Sequence, residues 1–373
     1  MKKLFLFLVF FPIVLKAQEA TIHFDIENST ALNTEVSLFD SYANPEVLFG
    51  ELYMNVPLAN GKSSLRFPIS DPVSIKVYYE ASDHNKSFEY YFYLSPGDNI
   101  RFSIDENNLE TSIVVSGIGF ENNQPLVQQI HDDFILNLFD SFENDTLPKR
   151  VFKAIEEKKF QYQNILEDYI AKYKPTKEFI RNETYYVQYS PLSQFISFKG
   201  RQRILLNKAY NRNEDKWQSI EDSLLIANPI NNDNLLKVTG FPLLLTTYLL
   251  RTKERLWFDP ILKERYFPND IDRQSVNNDP ENLLREKIIC KNFSGQIAEF
   301  LYAFIFSTSR NAKHDNLINI YTRFKNKYPN SSYLPYIEPQ ISIIKEKKKN
   351  QLNEKMLIIA NADSPQTLAL LHE

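Results

Sequence analysis

The chain of 373 residues contains a single cysteine, Cys290. That excludes an intramolecular disulfide, a CxxC motif and a cysteine zinc cage. Glycine is scarce, with eight residues, and five of them fall before residue 120. Glycine marks turns with positive φ and is disfavoured inside helices, so the first third reads as turn-rich and the rest as helical. There is no basic excess: 43 lysines and arginines face 47 acids, for a net charge of −4. Nucleic acid is therefore excluded as the expected partner. No later stretch approaches the roughly 20 apolar residues a membrane-spanning helix needs, and Phe241 to Leu250 is the longest candidate. A GxSxG elbow, a phosphate-binding GxxxxGK[ST] loop and an HxxxH pair are all missing.

What is present begins with a secretion signal. Lys2 and Lys3 precede an apolar run from Leu4 to Leu15, and Lys16 to Glu19 form a polar exit. A positive start, a short apolar core and a small residue, Ala17, are the parts of a signal peptide over residues 1–18. The expected location is the periplasm or cell envelope, with no transmembrane segment in the mature chain. With 43% hydrophobic and 24% charged residues, the remainder has the composition of a folded protein.

Side-chain periodicity then divides the chain. Ile22, Phe24 and Ile26 alternate with polar residues, as do Ile75, Val77 and Tyr79, then Tyr90, Phe92 and Leu94, then Ile100, Phe102 and Ile104. A period of two puts each set on one face of a sheet. Asn60-Gly61 and Ser95-Pro96-Gly97-Asp98 supply turn chemistry. About eight strands over 19–122 predict an antiparallel β-sandwich.

After residue 123 the period becomes 3.6. Val151, Ile155, Tyr162, Leu166 and Tyr169 share one helical face, and Ile289, Phe293, Ile297, Phe300 and Phe304 predict another helix. Leu317, Tyr321, Phe324 and Tyr328, and then Ile337, Ile341 and Ile344, repeat the pattern. The fold class is α+β, a sandwich followed over 123–350 by a helical bundle or helix-pair domain. Pro268 to Glu281 reads as a loop. The basic tract at Lys345 to Lys349 reads as a solvated helix end. In the tail, 351–373, Met356 to Ala360 predict a short strand and Pro365 the start of a helix.

Candidate chemistry is sparse. The five histidines are scattered, and His131-Asp132-Asp133 reads as a solvated helix surface, because consecutive helical residues diverge. Cys290 follows Ile288 and Ile289 and reads as an inert core thiol. Gly117-Ile118-Gly119 reads as a strand exit. Tyr78, Tyr90, Tyr91 and Tyr93 cluster on neighbouring strands as a candidate ligand surface for peptide or glycan; the alternative is sandwich core with a few tyrosines at its edge. No catalytic, cofactor-binding or metal-ligating residue is nominated.

Three segments carry a family resemblance: Tyr93-Leu94-Ser95-Pro96-Gly97-Asp98-Asn99-Ile100, Ser116-Gly117-Ile118-Gly119-Phe120-Glu121-Asn122-Asn123, and Tyr328-Pro329-Asn330-Ser331-Ser332-Tyr333. In order and spacing they resemble the N-terminal region of envelope TlpA-like thioredoxin-family thiol-disulfide oxidoreductases. There a "PGD" turn and a "G-x-x-x-x-N" strand exit belong to a small β-sandwich, a helical region ends near "YPNSxY", and a thioredoxin domain follows. The resemblance covers roughly residues 20–350. It implies a non-catalytic accessory or partner-positioning region without the WCxxC motif that carries the family's redox chemistry, its tail resembling the approach to the missing thioredoxin domain. The other expectation is a free-standing binding module for a peptide, a glycan or an envelope protein, with no cofactor.

Overall fold

A computed structural model describes residues 18–362 apart from 39–42, 51–52, 70, 83, 110, 132–133, 270–278, 280 and 310–313. The signal segment up to Ala17, Asp132 and Asp133, most of the loop expected over Pro268 to Glu281, and the helix expected near Pro365 lie outside the described residues.

The alternating segments form eight strands: β1 (Gln18–Glu27), β2 (Asn33–Ser37), β3 (Tyr53–Pro57), β4 (Lys62–Ile69), β5 (Val73–Glu80), β6 (Ser87–Leu94), β7 (Asn99–Asp105) and β8 (Val114–Ile118). Two four-stranded sheets, in orders β4-β1-β7-β8 and β3-β2-β5-β6, enclose the first core. Five of the six pairings are antiparallel. The sixth, β1 with β7, is parallel, in register from Thr21 opposite Asn99 to Glu27 opposite Asp105. The inward positions are those the alternation marks, with Ile22, Ile75, Tyr90 and Phe102 fully buried. Burying such a side chain contributes about 1.5–3 kcal/mol. Asn60 and Gly61 both have positive φ, 51° and 75°, and close the tight turn that carries the chain from β3 in one sheet to β4 in the other.

The helical region contains α2 (Phe134–Phe142), α3 (Pro148–Tyr173), α4 (Lys177–Leu206), α5 (Lys208–Asn211), α6 (Glu214–Ala227), α7 (Phe241–Phe258), α8 (Pro260–Tyr266), α9 (Asn282–Asn292), α10 (Gly295–Thr308), α11 (His314–Lys327) and α12 (Leu334–Ala362). The α3 residues Val151, Ile155, Tyr162, Leu166 and Tyr169 are buried together, as their spacing requires. The Ile289-to-Phe304 pattern spans two helices rather than one. Ser294 is extended at φ −139° and ψ 179°, and Gly295 turns the chain at φ +60°. Met356 to Ala360 are helical, within α12, and not a strand. Lys345 to Lys349 are exposed but lie within that same helix rather than at its end.

One short helix breaks the domain division. α1 (Pro45–Phe49) belongs to the β2–β3 connection, yet its Leu48 joins the helical core, and Phe49 stacks on Tyr336 at 5.8 Å.

The seam between the domains is built from side-chain amides. β6 is a sheet edge, and an open edge presents unpaired N–H and C=O groups. The Asn123 side chain accepts from Tyr93 N at 2.8 Å and donates to Tyr93 O at 3.0 Å and to Gly119 O at 2.8 Å. Gln128 repeats the clamp two residues along, accepting from Tyr91 N at 2.7 Å and donating to Tyr91 O at 2.9 Å. Two amides thus take the place of a ninth strand. Asn122 accepts from Thr176 N at 2.9 Å just before α4, and the Tyr169 hydroxyl of α3 donates to Glu121 O at 2.9 Å. The "PGD" turn meets the strand exit here: a Cβ on Gly119, whose φ is +91°, would lie 2.5 Å from the Asp98 carboxyl carbon. Gly119→Ala is therefore expected to destabilise the fold by at least ~1 kcal/mol, read as a lower urea midpoint at unchanged slope.

Asp98 itself supplies a pH signature. Burial pushes its carboxyl up to about 6, against an opposing hydrogen bond from Ser95 N at 2.7 Å. With its folded value raised, the group opposes folding fully above pH 6, and the penalty fades as pH falls towards its ordinary value of 3.8. Asp98→Asn keeps an oxygen for Ser95. It is expected to raise the melting temperature at pH 7.5, with the gain shrinking to nothing near pH 4.

Candidate functional site

The four nominated tyrosines do not form one exposed platform. Tyr90 points into the sandwich core with no exposed surface, and its hydroxyl donates to Asn123 O at 2.6 Å. Tyr93 is buried against Phe179, with ring centroids 5.4 Å apart. Tyr91 is half-buried and stacks on His131 at 4.9 Å, while Tyr78 is half-buried on the sheet's outer side. The alternation predicts which of them face outward, but not that helices cover the outer face of β6.

His131 is likewise not on a solvated surface. It sits in the seam between Tyr91 and Tyr186, 4.5 Å from the latter. Its Nε2 lies 3.0 Å from Glu183 Oε2, with the two side chains 6% and 2% exposed. The approach is close but not aligned for a hydrogen bond, so Oε2 is buried without a directed donor. Glu183 Oε1 accepts from Asn182 Nδ2 at 2.9 Å, and Asn182 also donates to Thr239 Oγ1 at 2.8 Å. Thr239 Oγ1 meets Ser74 Oγ at 2.6 Å. This polar chain crosses from helix to sandwich. A buried polar network is costly to leave half-satisfied, so this one fixes how the two domains dock.

At the sandwich end of that chain the seam opens into a cleft of about 580 Å³, within the size range of ligand sites. The sandwich contributes Asn44 just before α1, Asp71 just before β5 and Ser74 within it. The helical domain contributes Lys237, Gln296, Glu299 and the Asn330-to-Tyr333 segment. Lys237 and Asp71 pair across the rim at 2.6 Å, both largely exposed. The Tyr333 hydroxyl donates to Ala43 O at 2.6 Å, so the third segment of the resemblance also lies on the seam. Burial, with the Glu299 carboxylate beside it, pushes the Tyr333 hydroxyl well above its ordinary range. Glu299 is half-buried and, among the described residues, has no ion-pair or hydrogen-bond partner. The side chains of Gln296, Asn330 and Ser332 are also without partners among those residues. The cleft therefore offers amides, a hydroxyl and one uncompensated carboxylate.

Cys290 is exposed rather than in the core. Ile288 and Ile289 take the inward positions of α9, and the next residue rotates outward. Its Sγ lies 3.0 Å from the Tyr302 hydroxyl, which burial and the thiol push well above the usual range. Among the described residues, no group of three His, Cys, Asp or Glu side chains could hold a metal ion. No helix among them is long and apolar enough to cross a membrane. Comparison with protein-family models, with curated proteins and with solved structures found no match.

The exposure of Cys290 sets an expected outcome. A disulfide-exchange reagent is expected to titrate one thiol in the native protein, without denaturant and without loss of the folded circular-dichroism signal. Reaction only after unfolding would contradict the placement.

Proposed function

We propose that this chain is a non-catalytic binding module of the cell envelope whose cleft between sandwich and helices holds a polar peptide segment of a partner. This is the partner-positioning role expected of the accessory region of a TlpA-like protein. The observation that carries the reading is the cleft itself. Both domains line it, and the partnerless groups of Gln296, Glu299, Asn330 and Ser332 leave it chemically unfinished. Side-chain amides match the alternating N–H and C=O groups of a peptide, which main-chain recognition uses elsewhere. Glu299 adds charge preference. With Asp71 already paired to Lys237, its carboxylate favours a segment bearing lysine or arginine. The seam keeps the two walls at fixed separation, which lowers the ordering cost of binding.

Thermal melts with short peptides test the reading, since a ligand that binds only the folded state raises the melting temperature. A lysine-bearing peptide is expected to raise it more than the same peptide with the lysine acetylated. Glu299→Gln is expected to remove that difference and weaken binding about threefold to tenfold. No shift with any peptide would sink the reading; equal shifts for both forms would sink only the role of Glu299.

A further inference from the structure

Away from the cleft, one corner of the helical domain exposes five large apolar side chains. Ile204 and Leu205 project from the last turn of α4, at 69% and 49% exposure. Trp257 and Phe258 end α7, at 37% and 71%, and Ile261 follows on α8, at 65%. Ile204, Trp257 and Phe258 line one shallow hollow of about 390 Å³ with Arg203, Lys253, Glu254 and Glu281. A folded monomer seldom leaves such a cluster in water without a use for it.

The charges around the cluster set it apart from the rest of the chain. Residues 199–208 and 251–266 hold nine lysines and arginines against three acids, in a protein of net charge −4. Glu214, Glu221 and Glu281 approach three of those cations, Arg255, Lys199 and Lys253, and Glu254 pairs with a fourth, Arg251, at 2.9 Å. Others stay with the apolar groups. The Arg203 guanidinium lies 5.5 Å above the Phe258 ring and the Lys263 ammonium 5.0 Å above Trp257. Arg265 lies four residues beyond Ile261, on the same side of α8.

We propose that this corner docks on an anionic lipid surface, with Trp257, Phe258 and Ile261 entering the headgroup region and the surrounding cations meeting lipid phosphates. Three occupants compete for such a patch, and charge decides between them. A second copy would meet it through the same face, setting cations against cations. The core of a protein interface is depleted in lysine, whereas lysine lies directly over the tryptophan here. Aromatic and aliphatic groups with long cationic side chains laid over them, Arg203 on Phe258 and Lys263 on Trp257, are the composition of an interfacial membrane anchor.

The two tryptophans make the test direct. Trp217 is fully buried, so a change in emission on vesicle binding reports Trp257. Vesicles of phosphatidylcholine containing a minor share of phosphatidylglycerol are expected to shift the emission to the blue and to sediment with the protein. Pure phosphatidylcholine is expected to bind far less, and added salt to release the protein. Phe258→Ser with Ile261→Ser removes two exposed side chains. It is expected to weaken vesicle binding about tenfold or more at an unchanged melting temperature. Equal binding to neutral vesicles, or no blue shift, overturns the proposal. So does a double variant that still binds vesicles while losing self-association in size-exclusion chromatography, which would make the corner a contact between copies.

Discussion

The clamp on the edge of β6 is the constraint from which the rest of the architecture follows. A terminal strand in a sandwich needs partners for its outward N–H and C=O groups. Here they come from Asn123 and Gln128, in the segment that leaves the sandwich and enters the helices. Those amides fix the course of residues 119–130. That course places Asn122 against the start of α4 and Tyr169 against Glu121. The helical domain is therefore seated on the outer face of the second sheet. Tyr93, Val127, Ile130, Tyr162, Leu166, Tyr169, Phe179 and Val187 form a small third core between the two larger ones.

Once the domains are seated, the cleft is what their surfaces fail to fill. α1 reaches out of the sandwich to the helical core on one side, and the Ser74–Thr239 contact closes the other. Between them the walls mix polar groups with apolar ones such as Pro72, Val73 and Leu236. Under the proposed reading the arrangement serves recognition. Its groups are amides, hydroxyls and carboxylates, and the thiol of Cys290 lies on a different helix from any that lines the cleft.

Much of the fold was legible in the sequence, because burial imposes short periods that survive in a single chain. The alternation in β5, β6 and β7 named the inward residues correctly, and the 3.6 period did the same for α3. The errors have physical causes. Ile289 to Phe304 kept a helical apolar rhythm across Gly295, since two consecutive helices both faced one core. Cys290 followed two isoleucines yet turned outward, since one residue is 100° of rotation. His131 and Tyr93 were placed wrongly or only by face, because what covers a surface residue comes from distant sequence. The cleft joins residues from position 43 to position 333, and no local pattern encodes it. The asparagines at 122 and 123 stand in a recognisable motif, while their task as hydrogen-bonding surrogates for a strand is visible only in three dimensions.

The division of the chain at residue 122 also changes meaning. The groups that complete the sandwich lie beyond it, up to Gln128, so the first domain is unfinished until that stretch has been delivered. For a polypeptide that emerges from the ribosome in order, all eight strands would be out with β6 still uncovered. The interval is brief if the next few residues follow at once, and hazardous if synthesis stalls there, because a bare edge recruits other edges. The two amides are thus also a guard against misassembly, posted 30 and 37 residues beyond the β6 positions they clamp.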